Sequence, residues 1–136
     1  MREVKFLRVD DHEDDSILFR EMLDDSGFVG EVVSLGGANE AWEYLERLRR
    51  NGLLEEVGII FLDLNMPMKN GFEFLDELMS DSDFKKIPVM IVSGSRRESE
   101  KEGALSKGAI AYISKPIAFE HIVTAIQGLS MRWSLS

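Results

Sequence analysis

Short apolar runs alternate with longer stretches whose apolar residues recur at helical spacing. Lys5-Phe6-Leu7-Arg8-Val9 reads as a first strand, closed by Asp10 and Asp11. Ile17, Leu18, Met22 and Leu23 then share one face of a helix predicted over 14–26, with Gly27 as terminator. Glu31 to Leu35 reads as a second strand, and Gly36-Gly37 breaks it. A helix capped by Asn39 is predicted to run to Arg50, with Ala41, Trp42, Leu45 and Leu48 as its stripe. Glu43 to Arg47 and Glu46 to Arg50 stand at the i,i+4 spacing that suits ion pairs, and Asn51-Gly52 ends the helix.

Ile59-Ile60-Phe61-Leu62 is apolar without alternation, as in a strand covered on both faces at the centre of a parallel sheet. It closes at Asp63. A helix follows over 71–79, with Phe72, Leu75 and Leu78 or Met79 expected inward. Pro88 to Val92 reads as the fourth strand and stops at Ser93-Gly94. The stretch 98–107 has helical propensity but is almost wholly polar, with Ala104 and Leu105 as its apolar anchor. Ala109 to Ser114 reads as the fifth strand, ending at Lys115-Pro116. Phe119, Ile122, Val123, Ile126 and Leu129 stripe a final helix. Five strands interleaved with five helices mean βαβ units and an α/β fold: a doubly wound five-stranded parallel sheet covered on both faces. Right-handed crossovers and the usual doubly wound layout give the order 2-1-3-4-5, with the switch point between the first and third strands.

With 136 residues the chain is expected to form one domain, its core at about 4–129 and a short tail at 130–136. No repeat or low-complexity segment interrupts it. The chain has no cysteine, so disulfides, thiolate metal sites and cysteine catalysis are excluded. A formal net charge of −9 argues against binding a phosphate backbone, so no nucleic-acid partner is expected. The longest apolar run, 57–62, is far short of a membrane span, and the charged start does not read as a signal peptide. The expected location is cytoplasmic, with no membrane partner.

Ligands of such folds bind beyond the carboxyl ends of the strands, at the switch point. Asp10 and Asp11 end the first strand there, Asp63 the third, Ser93 the fourth and Lys115 the fifth. Taken singly, each has a plain structural reading, since aspartates and serines after strands often form turns and caps. Jointly they do not, because each falls on the correct strand end. Three converging carboxylates repel one another and call for a cation. Hard oxygen donors with room for water suit Mg²⁺ better than zinc. A lysine and a hydroxyl beside them suit a phosphoryl group, and one carboxylate becomes a candidate nucleophile that forms an acyl phosphate.

These residues resemble the receiver domain of two-component response regulators. The resemblance runs from about Val4 to Leu129. It is carried by Val9-Asp10-Asp11, Leu62-Asp63-Leu64-Asn65-Met66-Pro67, Gly71, Val92-Ser93-Gly94 and Tyr112-Ile113-Ser114-Lys115-Pro116. The chain is similar in extent to the stand-alone, CheY-like regulators of the chemotaxis type. Phe84 to Pro88 and the segment 51–58 look more like regulators that partner cyanobacterial phytochromes.

The resemblance implies a flavodoxin-like three-layer sandwich and a role for each residue. Asp63 would accept a phosphoryl group from a sensor histidine kinase or a phosphotransfer protein. Asp11 would ligate Mg²⁺ directly, Asp10 through water, and Asn65 by its backbone carbonyl, with Asp63 completing the metal set. Lys115 would pair with the phosphoryl oxygens. Ser93 would hydrogen-bond them and draw its loop inward, and Tyr112 would swing from exposed to buried. That swing would change the face formed by the polar helix 98–107, the fifth strand and the final helix, which a downstream protein target would read. Asn65 and Ser95 would flank the attacking water and tune the acyl phosphate's lifetime. Lys115-Pro116 would be a cis peptide. Beyond self-catalysed phosphotransfer and autodephosphorylation, no enzyme activity is expected. A homodimer through the helix 98–107 face or the final helix is a further expectation.

Some residues depart from the pattern or stand beside it. Arg8 fills a strand position where an apolar residue is usual. It would snorkel to the sheet edge, pair with acids such as Asp14 and Asp15, or reach the pocket and compete with metal charge. Gly94 is small, as phosphoryl access requires. His12 reads as solvated and His121 as structural or surface. Met66 and Met68 read as packing or docking residues. Trp133 in the tail would cover the last helix or contact a second copy. The alternative function is a docking module of the same fold that does not signal by phosphorylation. An aspartyl-phosphate hydrolase of the haloacid dehalogenase type is disfavoured, because Asn65 stands where its second carboxylate belongs. A flavodoxin is disfavoured because the carboxylates would repel its phosphate.

Overall fold

The computed structural model describes residues 4–10, 20–22, 24–25, 30–64, 70–115, 120–121 and 123–124. Five parallel strands form one sheet in the order expected, β2-β1-β3-β4-β5. They are β1 (Val4–Val9), β2 (Gly30–Leu35), β3 (Val57–Asp63), β4 (Val89–Ser93) and β5 (Ala111–Ser114). Three helices have both ends described: α1 (Ala38–Arg50), α2 (Gly71–Met79) and α3 (Glu98–Ser106). Short 3₁₀ turns at Leu54–Glu56 and Phe84–Lys86 lead into β3 and β4. Residues 20–22, 24–25, 120–121 and 123–124 are also helical, inside the first and last predicted helices.

The unbroken apolar run of β3 is explained by its place: every residue of this central strand is buried. Its side chains alternate between two cores. Ile60 and Leu62 join Leu7, Val9, Val89 and Ile91 on one face, closed by Ala41, Leu45, Leu48, Phe74, Leu75, Leu78 and Ala104 from α1, α2 and α3. Ile59 and Phe61 join Phe6, Met90, Val92 and Ile113 on the other, where Met22 packs. The strand period of two feeds both cores at once.

Several local expectations are corrected. α1 starts one residue before Asn39, with extended Gly37 at the N-cap and no side-chain cap. Glu40 reaches back instead and accepts from the Gly36 N–H at 3.1 Å, satisfying a donor at the helix entry. Glu46 pairs with Arg49 rather than Arg50. Arg49 is drawn to that side because it binds both Asp81 oxygens at 2.9 Å and lies 4.3 Å over the Phe84 ring. Gly52, at φ +72°, ends the helix in the left-handed region.

In α2 the inward set is Gly71, Phe74, Leu75 and Leu78, with Phe72 only half-buried. The helix is rotated by its first residue. A Cβ on Gly71 would lie 2.7 Å from the Asp63 carbonyl oxygen and from the Leu64 Cα, so this turn sits directly on the end of β3. Residues three, four and seven further on must then face inward too. In α3, Ala104 is buried but Leu105 is exposed, so the apolar anchor of this helix is a single alanine. The fifth strand begins at Ala111, with Ile110 exposed before it.

Candidate functional site

The register of the sheet brings the candidate residues to one edge. Val9 is paired with Leu62, so the next residues of β1 and β3 are Asp10 and Asp63, side by side. Asp63 is registered with Val92, one residue before Ser93, and Ser93 with Ser114, one residue before Lys115. The Lys115 N–H donates to the Ser93 carbonyl at 2.7 Å, tying the ends of β4 and β5 together. The Asp10 N–H donates likewise to the Leu35 carbonyl at 3.0 Å, anchoring the end of β1 to β2.

Asp63 is 2% exposed and Asp10 9% exposed. Buried carboxylates need partners, and Lys115 is one for both. Its Nζ lies 3.3 Å from Asp63 Oδ2 and 3.4 Å from Asp10 Oδ2. Burial alone pulls the Lys115 ammonium's pKa down, but the charges and hydrogen bonds of Asp63 and Asp10 outweigh it, and the net direction is upward. Lys115 therefore carries its positive charge throughout the neutral range. Arg8 is 4% exposed and donates from Nη2 to the same Asp10 Oδ2 at 3.1 Å. Among the described residues, Arg8 thus contacts the pocket. Asp14 and Asp15 lie outside the described residues.

Ser93 is fully buried, and its hydroxyl is engaged with α3 and the loop before it. It donates to Glu100 Oε1 at 3.2 Å and accepts from the Ser95 N–H at 3.1 Å. Tyr112 is half-buried, and its hydroxyl lies 2.9 Å from the Ser95 carbonyl and 3.1 Å from Glu100 Oε2. One carboxylate in the first turn of α3 thus binds both residues expected to switch. Ser95 contributes through its backbone, while its hydroxyl accepts from the Arg97 N–H at 3.1 Å. Glu100 was not singled out by sequence. It sits in a polar helix seven residues beyond Ser93 and twelve before Tyr112, and no periodic pattern links the three.

Asp11, Asn65 and Pro116 lie outside the described residues, so the expected direct ligand, backbone ligand and cis peptide do too. So do His12, Met66, Met68 and Trp133. Among the described residues no group of three or more histidine, cysteine or acidic side chains forms a metal cluster. The donor chemistry of Asp10 and Asp63 nevertheless fits a hard divalent cation: two buried carboxylates, side by side, at the carboxyl end of a parallel sheet.

Two buried carboxylates bridged by a lysine ammonium at the switch point of a five-stranded doubly wound sheet suit an α/β protein that handles phosphoryl groups. The response regulator receiver domain model matches residues 6–127, and the chain belongs to that family. Its function is phosphorylation-based signal transduction. The chain is 28% identical to the response regulator Rcp1 of Synechocystis sp., over 93% of this chain and 86% of that protein. The structure resembles that of the phosphorylated cyanobacterial phytochrome response regulator RcpA with a TM-score of 0.76, at 30% identity, over 98% of this chain and 95% of RcpA. It also resembles the Mn²⁺-bound form of Rcp1, with a TM-score of 0.70 and 28% identity, over 98% of this chain and 96% of that one. The likeness to phytochrome regulators expected from 51–58 and 84–88 is therefore met across nearly the whole chain. No helix among the described residues is long and apolar enough to cross a membrane.

Proposed function

We propose that Asp63 is the phosphoacceptor and that Asp10, Asp11, the Asn65 backbone carbonyl and Asp63 itself hold a Mg²⁺ ion beside it. The observation that carries this reading is the Lys115 ammonium between Asp63 and Asp10, at 3.3 and 3.4 Å. A cation shared by two buried carboxylates offsets the cost of burying their charge and stands ready to pair with an incoming phosphoryl oxygen. The metal, when bound, neutralises phosphoryl charge as the acyl phosphate forms.

The protein's own residues carry the remaining steps. An Asp63 carboxylate oxygen attacks the phosphorus of a phosphohistidine, and the bond from phosphorus to the imidazole nitrogen breaks. Lys115 pairs with the transferred group. Ser93 leaves Glu100 and donates to a phosphoryl oxygen. Glu100 then loses one of its two hydroxyl partners, and the Tyr112 and α3 arrangement is biased toward a second state. α3 is suited to such a shift because a single buried alanine anchors it. Leu105 and Ile110, exposed beside β5, offer apolar surface to a downstream protein or to a second copy of the chain.

The test is labelling by acetyl phosphate, read by intact mass. One phosphoryl adduct is expected in wild type with Mg²⁺, and none in Asp63→Asn or after metal removal. No adduct in folded wild type, with beryllofluoride also failing to bind, would favour the docking module instead.

A further inference from the structure

Arg8 is a buried cation inside a pocket whose proposed task is to bind another cation. Its strand position explains how it gets there. Phe6, Arg8 and Asp10 follow one another at the strand period, so they leave the sheet on the same side. Phe6 fills the core below, and Arg8, one strand period further on, extends to Asp10 at the sheet's carboxyl end. The Asp10 Oδ2 atom therefore receives two charged donors, Arg8 at 3.1 Å and Lys115 at 3.4 Å. An exposed ion pair would count for little, but Arg8 and Asp10 are both nearly excluded from water, where screening is weak and charge interactions are strong.

We infer that Arg8 is a resident counter-ion of Asp10 that competes with the divalent metal and sets a weak metal affinity in the unphosphorylated protein. The inference rests on the proposed metal role of Asp10. Two physical effects act together. The guanidinium and a metal, or a metal-bound water, would draw on the same Asp10 carboxylate, whose Oδ2 already accepts from Arg8 at 3.1 Å. The guanidinium also adds a fixed positive charge beside a dipositive ion, and like charges at such range repel strongly in a medium of low effective dielectric. A corollary concerns the metal-free protein: Arg8 neutralises Asp10 there, so the acidic pocket is held together without metal.

The test measures Mn²⁺ and Mg²⁺ binding by titration calorimetry, with Mn²⁺ also followed by electron paramagnetic resonance. It compares wild type, Arg8→Met and Arg8→Lys. Arg8→Met removes the charge and keeps an unbranched stem, and its metal dissociation constant should fall about tenfold or more. Arg8→Lys keeps the charge and should stay near wild type. Thermal unfolding supplies a readout independent of phosphorylation. Saturating Mg²⁺ should raise the melting temperature of Arg8→Met by more than that of wild type, because a ligand stabilises according to its affinity. If Arg8→Met does not fold, Arg8→Gln and Arg8→Lys make the same comparison of charge lost against charge kept. A dissociation constant within about twofold of wild type in folded Arg8→Met or Arg8→Gln would overturn the inference and leave the metal pocket standing. Equal tightening in Arg8→Lys would overturn it too, since charge would not be the cause. Absence of metal binding in every variant and in wild type, with or without beryllofluoride, would overturn the metal reading and this inference together.

Discussion

Replacing Gly71 by alanine should damage the fold and the site at once. The added Cβ would stand 2.7 Å from the Asp63 carbonyl oxygen, 2.7 Å from the Leu64 Cα and 2.9 Å from Leu64 Cδ2. Relaxed contacts between carbon atoms lie at about 3.5–4.0 Å, so the overlap is close to 1 Å, and two of the three atoms are backbone. A side chain could rotate away; the end of a central strand cannot. The first turn of α2 must lift, which stretches the Gly71 N–H bond to the Leu64 carbonyl, now 3.0 Å. Overpacking of this kind costs about 1–3 kcal/mol and a weakened hydrogen bond about 1 more. The better helix propensity of alanine returns up to about 1 kcal/mol. A net loss of about 2 kcal/mol is expected. With a urea slope of about 2 kcal/mol per molar, the denaturation midpoint should drop by about 1 M. Acetyl phosphate labelling of Asp63 should slow in the same variant, because the displaced atoms belong to Asp63 and its neighbour. Gly94→Ala is the control for stability, since a Cβ there meets nothing within 4 Å. A Gly71→Ala midpoint within about 0.2 M of wild type, at unchanged slope, would refute the reasoning.

Other outcomes follow from single contacts. Phe84→Ala should cost about 3–5 kcal/mol in urea unfolding, because this fully buried ring meets Trp42 edge-on at 4.9 Å and lies under Arg49. Burial works against ionisation of Asp81, but hydrogen bonds from the Phe84 N–H, Arg49 and the Asp83 N–H outweigh it and hold the carboxyl below its usual value. Its folded pKa is thus the lower one, so its contribution is present above about pH 4 and is lost as pH falls further; the stability gap between wild type and Asp81→Ala should shrink in acid. Glu100→Ala removes the acceptor shared by Ser93 and Tyr112. In a Tyr44→Phe background, the ¹⁹F resonance of fluorinated Tyr112 should move toward its solvent-exposed position; an unchanged resonance would mean that the Ser95 carbonyl alone holds the ring.

Strand and helix content, the sheet order and the residues at the strand ends were legible in the sequence because they follow from local periodicity and one topological rule. β3 was readable because burial on both faces removes alternation, and Asp10, Asp63, Ser93 and Lys115 because each directly follows or ends its apolar run. The details that failed were those set by a neighbour in space. The rotation of α2 follows from Gly71 meeting the β3 backbone, not from the hydrophobicity of Phe72. Arg49 chose Glu46 because Asp81 and Phe84 drew it there.

The site divides in the same way. Which residue types gather at the switch point is a property of the chain, since parallel strands of known order deliver their ends to one edge. Which of them touch is a property of the packed molecule. Only there does Lys115 span Asp63 and Asp10, does Arg8 become a pocket cation, and does Glu100 join Ser93 to Tyr112. Hydrogen bonds and ion pairs reach only a few ångströms, so their partners are selected by three-dimensional distance, which for these pairs bridges up to 105 positions of sequence.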